Sequence, residues 1–226
     1  MREPPPAMSG TAIAEALFAD PAPGTTPTFR EFADTPPTPI GQFRESYILA
    51  SDDEDVWLID QHAAHERILY EDLVERGEQE ERGAQQLLLT PLPLELSPAE
   101  RVTMGEEIEQ LLSFGYDIEP FGADGYVVRA VPAALSGLDT LRLVRSALGE
   151  RERDCRSSSV LDAKSRIAAR LACHAAIKVN FLLTMEKMQY LVRTLWNARQ
   201  PTVCPHGRPT TLRIGLGQIE RNFGRI

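Results

Sequence analysis

The sequence predicts an α+β fold, and three observations predict it. Runs that alternate apolar and polar residues, as strands do, are interspersed with stretches of helical periodicity. These elements do not repeat as regular βαβ units, which disfavours a doubly wound parallel sheet. Between them stand sharp local signals, above all Ser97-Pro98-Ala99-Glu100 as a helix start and Gly122-Ala123-Asp124-Gly125 as a hairpin turn.

The elements follow in order. Nine prolines fall in the first 39 residues among Ala, Thr, Ser and Gly. Such a segment buries too little apolar surface to offset its ordering entropy, so residues 1–39 read as a disordered linker, and the ordered domain is expected to begin near Ile40. A linker at the start implies something attached before it. Phe43–Ala50 and Val56–Asp60 read as strands separated by the acidic turn Ser51–Asp55. Residues 61–81 read as a helix, with Ala64, Ile68, Leu69, Leu73 and Val74 at helical spacing. Gln86–Leu96 reads as extended, and Pro91 and Pro93 confine it to an edge or a loop. Ser97 can cap the next helix, Pro98 suits its first turn, and Glu100 can complete a capping box; that helix runs to about Phe114. Tyr116–Phe121 and Tyr126–Val131 form a hairpin. Helices are expected near Leu138–Leu148, over Leu161–Lys178 and over Thr184–Asn197. An extended run at Thr210–Ile214 and a short helical stretch end the chain.

At 226 residues the chain can bury a proper core. It has no run of about 18 apolar residues, so no membrane helix is expected, and it has no apolar core of the signal-peptide kind. Three cysteines, Cys155, Cys173 and Cys204, are too few for a disulfide framework and suit a reducing, cytoplasmic location. Net charge is −9, but it is divided: residues 1–141 carry −19 and residues 142–226 carry +10. An acidic front and a basic back suggest that one surface can face phosphate, with solvated helix faces of differing sign as the alternative. The overall acidity predicts weak, salt-sensitive DNA binding by this chain alone.

The most informative segment is Asp60 to Glu71, where an apolar strand hands over to a helix. His62 and Glu66, four apart, project from one helical face, and Asp60 at the strand end can turn toward the same point. Two carboxylates and an imidazole at a helix start can hold a divalent metal. Alternatively, Asp60 caps the helix and His62 pairs with Glu66. Cys204-Pro205-His206-Gly207-Arg208-Pro209 places a thiol and an imidazole two apart in a segment that Pro and Gly keep out of helix; extended, both would face one ion. Cys173, beside His174, is a third ligand candidate, or simply a buried core cysteine. Ligands scattered from Asp60 to His206 cannot form a zinc finger; they would have to meet through the tertiary fold. Their mixture suits Zn²⁺ at its soft end and Mn²⁺ or Mg²⁺ at its hard end.

These segments resemble four motifs of the MutL family of DNA mismatch-repair proteins. Asp60, Gln61, His62, Ala63, Glu66 and Glu71 match its endonuclease motif, DQHA-x2-E-x4-E. Ala172 to Lys178 is similar to a second motif that opens Ala-Cys, Cys204 to Pro209 fits CPHGRP, and Phe223-Gly224-Arg225 resembles FxR. The resemblance covers about Gly41 to Ile226. It implies the C-terminal part of a bacterial MutL protein: a metal-dependent endonuclease that nicks duplex DNA, homodimeric, and working with a MutS-type mismatch recognition protein near the nucleoid. By similarity, residues 40–88 and 155–226 form the dimerisation and endonuclease subdomain, and 89–154 an external regulatory subdomain. His62, Glu66, Cys204 and His206 would hold a regulatory zinc, with Asp60, His62 and Cys173 nearest a second, Mn²⁺ or Mg²⁺, position.

The resemblance makes Asp60, His62 and Glu66 the catalytic candidates, with Asp60 the residue expected to be indispensable. Gln61, Glu71, Lys178, Arg208, Phe223 and Arg225 are expected to support the site. Arg208 and Arg225 could each meet a phosphate or pair with Glu66 or Glu71; support is favoured for Arg225 and left open for Arg208. Gln86, Leu89 and Pro91 resemble the motif with which MutL endonucleases engage the sliding clamp, an ordinary packed edge strand being the alternative. The basic run from Arg142 to Arg170 is a DNA-contact candidate, and Trp57 and Trp196 read as structural. No nucleotide-binding loop is present, so no ATP hydrolysis is expected of this chain. The competing reading is a non-catalytic dimerisation and docking module with a structural zinc.

Overall fold

The computed structural model describes residues 35–78, 85–122, 125–149 and 162–225. The chain divides into two units, Met1–Asp34 and Thr35–Ile226, and the described elements all belong to the second. Residues 1–34 of the expected linker, Ala123 and Asp124 of the expected hairpin turn, Cys155 and the arginines of the charged loop before Asp162 lie outside the described residues.

Two antiparallel sheets organise the fold. The first has β1 (Thr38–Phe43), β2 (Tyr47–Ser51), β3 (Asp55–Asp60) and β7 (Thr211–Gly215), in the order β1-β2-β3-β7. The second has β4 (Gln85–Glu95), β5 (Asp117–Phe121) and β6 (Gly125–Pro132), in the order β4-β6-β5. The helices are α1 (Gln61–Glu78), α2 (Pro98–Ser113), α3 (Thr140–Leu148), α4 (Ala163–Ala175), α5 (Met185–Trp196) and α6 (Leu216–Asn222). The α+β class expected from the pattern is the one observed.

Helix α1 joins two cores. Its Leu69 and Leu73 enter a core formed with the second sheet, α2, α3 and α4. Its Ala64 enters the other, with Ile48, Ala50, Trp57 and Ile59 of the first sheet and Leu191 and Leu195 of α5. Each fully buried Leu or Ile contributes about 1.5–3 kcal/mol of hydrophobic stabilisation. Trp57 and Trp196 meet edge to face, ring centroids 5.1 Å apart, so both tryptophans are structural as expected. The capping box is also as expected: Ser97 Oγ accepts from the Glu100 amide, and Glu100 accepts from the Ser97 amide.

Three elements differ from expectation. Strand β1 begins at Thr38, ahead of Ile40, and Pro39 within it is buried. The run Phe43–Ala50 is not one strand but a hairpin corner, because Arg44 and Glu45 both take φ 49°. Two left-handed residues, a pair more often Asn-Gly, form the turn closed by the Ser46 amide on the Phe43 carbonyl, and with Ser46 they make a three-residue connection from Phe43 to Tyr47. The Glu45 carbonyl is held there by the buried side chain of Gln61. Helix α4 stops at Ala175 rather than Lys178. Its next backbone groups are taken by α1: the Ile177 amide donates to His65 Nδ1 at 2.9 Å, and the Ile177 carbonyl lies 2.8 Å from His62 Nδ1.

Candidate metal centre

The site grows from the junction of β3 and α1. The Asp60 amide donates to the Thr210 carbonyl, which fixes the strand end against the segment leading into β7. Asp60 Oδ1 accepts from the amides of His62 (2.9 Å) and Ala63 (3.0 Å), so Asp60 caps α1. Both capping bonds fall on one oxygen, and among the described residues Oδ2 stays available. The cap expected as the alternative role of Asp60 is therefore present, and it leaves half of the carboxylate for another task.

Gln61 is fully buried and works as a latch. Its Nε2 donates to the carbonyls of Glu45 (2.7 Å), Lys178 (3.2 Å) and Phe181 (3.2 Å), while its Oε1 accepts from Gln42 Nε2. Gln42 in turn accepts from the Leu183 amide and donates to the Phe181 carbonyl. The β1–β2 turn, the start of α1 and the stretch after α4 are thus closed on one amide.

The two histidines of α1 are fixed in opposite tautomers. His62 Nδ1 faces a carbonyl and must carry a proton, which in the neutral ring leaves the Nε2 lone pair for a metal. His65 Nδ1 accepts from an amide and must be unprotonated. Burial and the neighbouring His62 push the His65 imidazolium down to a pKa of about 4, so His65 stays neutral.

One turn further along α1, Glu66 is buried and meets Cys204 and His206, with ligand atoms of the three all within 4.8 Å of one another. His206 Nδ1 lies 2.5 Å from Glu66 Oε1, and the Cys204 side chain adjoins the same carboxylate. Burial works to raise the Glu66 carboxyl, but the adjoining His206 and Cys204 side chains outweigh it and hold it below its ordinary value. A buried carboxylate, thiol and imidazole facing one point suit a cation such as Zn²⁺, which accepts all three donor types. The donor set therefore fits a metal.

The Cys204–His206 segment is a turn, not the extended strand expected. The Gly207 amide donates to the Cys204 carbonyl (2.9 Å), the Cys204 amide donates to the Arg208 carbonyl (2.8 Å), and Gly207 takes φ 81°. Pro205 sits at the second position of that turn, where its fixed φ is favourable. A turn converges the i and i+2 side chains as well as a strand would.

Arg67, which no motif marks, holds this turn in place. Buried itself, it donates through Nε to the Val203 carbonyl at 2.6 Å and pairs with Glu71. Glu71 accepts from the amides of Arg199 (2.7 Å) and Gln200 (3.0 Å), anchoring the loop that leads to Cys204. An arginine one residue after a motif glutamate carries no sequence signal for such a role.

Other expected residues stand apart from the triad. His62 and Cys173 line a neighbouring cavity of about 350 Å³ with Arg142, His174, Lys178 and Arg208. Neither Asp60, His62 nor Cys173 belongs to the mutual cluster of Glu66, Cys204 and His206. Phe223 is 76% exposed, and Arg225 is exposed as well, its amide donating to the Glu220 carbonyl. Among the described residues Arg225 pairs with neither Glu66 nor Glu71, so the support expected of it is not seen: Glu66 faces His206, and Glu71 is occupied by Arg67 and two amides. Gln86, Leu89 and Pro91 lie on the outer strand β4, with Leu89 fully exposed where the β4–β6 register shifts between Leu87 and Leu92. Leu89 is thus not packed on the domain. No described helix is long and apolar enough to cross a membrane.

The chain has clear relatives. A family described as "MutL C terminal dimerisation domain" matches residues 40–183. The chain is 43% identical over 188 residues to a DNA mismatch repair protein MutL of Koribacter versatilis, covering 83% of this chain and 29% of that protein. It is 42% identical over 188 residues to one from Acidobacterium capsulatum, covering 83% and 28%, and 38% identical over 188 residues to one from Solibacter usitatus, covering 83% and 28%. The chain thus spans less than a third of the length of these curated relatives. By that family match and those identities, the chain belongs to the MutL C-terminal dimerisation domain family.

Proposed function

We propose that this chain is a metal-dependent endonuclease that nicks one strand of duplex DNA in mismatch repair. The observation that carries the reading is the convergence of Glu66, Cys204 and His206, brought from distant parts of the chain to one buried point beside the Asp60–His62 helix start. Glu66, Cys204 and His206, with His62 through Nε2, would hold Zn²⁺; Asp60, with Cys173 nearby, would hold Mn²⁺ or Mg²⁺. A divalent cation so bound lowers the pKa of an attacking water and offsets charge on the phosphodiester.

The chain's own residues supply position. Asp60 keeps Oδ2 free of its capping bonds, and the Ile177 carbonyl orients the His62 ring. Gln61 and Glu71 fix the backbone on either side. Water attacks phosphorus, one P–O bond breaks, and the leaving oxygen takes a proton.

Around this chemistry the reading places a homodimer. The outer face of the first sheet carries Ile40, Tyr47 and Leu212, 58%, 37% and 57% exposed, and a second copy of the chain would cover them. Residues 40–88 and 155–226 would form this dimerisation and endonuclease part, and 89–154 the regulatory part. Gln86, Leu89 and Pro91 would engage a sliding clamp, raising effective concentration on DNA, and a MutS-type protein would direct the complex. The setting would be the cytoplasm, at the nucleoid when acting.

One observation favours the second reading, a non-catalytic dimerisation module with structural zinc. Asp60 spends one oxygen on capping and stands outside the mutual cluster. Nicking of supercoiled plasmid with Mn²⁺, with and without clamp, separates the two. Relaxation by the native chain and not by Asp60→Asn, with the fold and dimer kept, supports the enzyme. No relaxation by either supports the module, and equal relaxation by both betrays a contaminant.

A further inference from the structure

The cavity that holds His62 and Cys173 has a second property. Its rim carries three cations, Arg142 from α3, Lys178 from the stretch after α4, and Arg208 from the Cys204 turn. Among the described residues none of the three forms a salt bridge, whereas Arg67, Arg76, Arg129, Arg170, Arg199 and Arg213 all do. No carboxylate of the described residues lines the cavity; its other polar walls are His62, His174 and Cys173. Among the described residues, Lys178 Nζ approaches only the Cys173 carbonyl, at 3.5 Å. Three positive charges converging on about 350 Å³ without counter-charge repel one another, and an anion relieves that repulsion.

We propose that this cavity seats a phosphate of the DNA backbone beside the cut, with Arg142, Lys178 and Arg208 as its positioning residues. The seat rests on the endonuclease reading and adds the path of the substrate. Arginine forks match phosphate oxygens in pairs, and a lysine adds a point charge. The three cations come from different parts of the fold. Arg142 belongs to the helix packed with the second sheet, while Arg208 belongs to the segment that runs into β7 of the first. A phosphate between them bridges the two halves. His62, on the wall of the same cavity, carries the site from the phosphate seat to the metal-binding turn of α1.

The test is equilibrium binding of a short fluorescent DNA duplex to the native chain in EDTA, over a series of KCl concentrations. Each phosphate contact contributes about 0.9 to the slope of log affinity against log salt. Arg142→Gln, Lys178→Gln and Arg208→Gln are each expected to weaken binding and flatten that slope by about one contact. Arg142→Lys restores the slope, and Arg129→Gln, which removes an arginine paired with Glu119, leaves it at the native value. Arg142 is exposed at the cavity rim, and circular dichroism of each variant shows that the fold is kept. Native slopes in all three variants, or no duplex binding by the native chain even at low salt, overturn the seat. Asp60→Asn keeps the slope under this proposal. Loss of slope in the cation variants therefore stands even if no chain nicks, and nicking lost only in Asp60→Asn, with native slopes elsewhere, retains the enzyme while removing the seat.

Discussion

Replacing Gln61 with Leu conserves the volume of a fully buried side chain and removes every hydrogen bond it makes. The native amide spends two N–H groups on the carbonyls of Glu45, Lys178 and Phe181 and accepts one bond from Gln42. Those are three effective bonds, because three acceptors share two protons. At about 0.5–1.5 kcal/mol net for each, the gross loss is about 1.5–4.5 kcal/mol. Glu45, Lys178 and Phe181 are exposed, so their carbonyls recover some water, and the isosteric Leu opens little cavity. We therefore expect about 2–3 kcal/mol, partly because the left-handed turn at Arg44 and Glu45 loses the bond that holds it. For a fold of this size that lowers Tm by about 4–12 °C. Urea denaturation followed by circular dichroism gives the free energy, and differential scanning calorimetry gives Tm. A Leu variant within about 0.5 kcal/mol of native, with an unchanged urea slope, would refute the latch, since that is the ordinary range of an unstructured surface change.

Three other substitutions probe the helix cap, the aromatic pair and the sheet face. Ser97→Ala removes the capping box of α2 and is expected to cost about 1 kcal/mol in urea denaturation while leaving plasmid nicking at the native rate. Trp196→Ala removes the edge-to-face partner of Trp57 and is expected to cost about 3 kcal/mol, read as a shifted urea midpoint. Leu212→Asp places a charge on the exposed face of the first sheet and is expected to convert a dimer to a monomer in sedimentation; a dimer that survives would move the interface elsewhere.

Much of this arrangement was legible in the sequence because it is local. Asp60 before a helical run announces a cap, Ser97 to Glu100 announces a capping box, and Pro91 and Pro93 announce an outer strand. The ligand candidates were legible as chemical types, and the fold brings Glu66, Cys204 and His206 together. Long-range bonds were not legible. Arg44 and Glu45 adopt a left-handed turn without Gly or Asn because a residue in the next helix holds the Glu45 carbonyl. Helix α4 ends early because His62 and His65, far away in sequence, take both backbone groups of Ile177. Arg67 looks like any helix-surface cation until its guanidinium is seen on the Val203 carbonyl. The exposed Phe223 and Arg225 show the converse: a motif that matches in sequence while both of its side chains lie exposed.

The central claim for this chain is that Glu66, Cys204 and His206 hold a metal. Titration of the native chain with Co²⁺, read by the ultraviolet charge-transfer absorption of a cobalt–thiolate bond, decides it. One equivalent of this absorption is expected in the native chain and in Cys173→Ser. It should be lost in Cys204→Ser and weakened in Glu66→Gln, while circular dichroism shows each variant folded. Absorption that is missing from the native chain, or that survives Cys204→Ser and disappears with Cys173→Ser, would contradict a metal centre at these three residues.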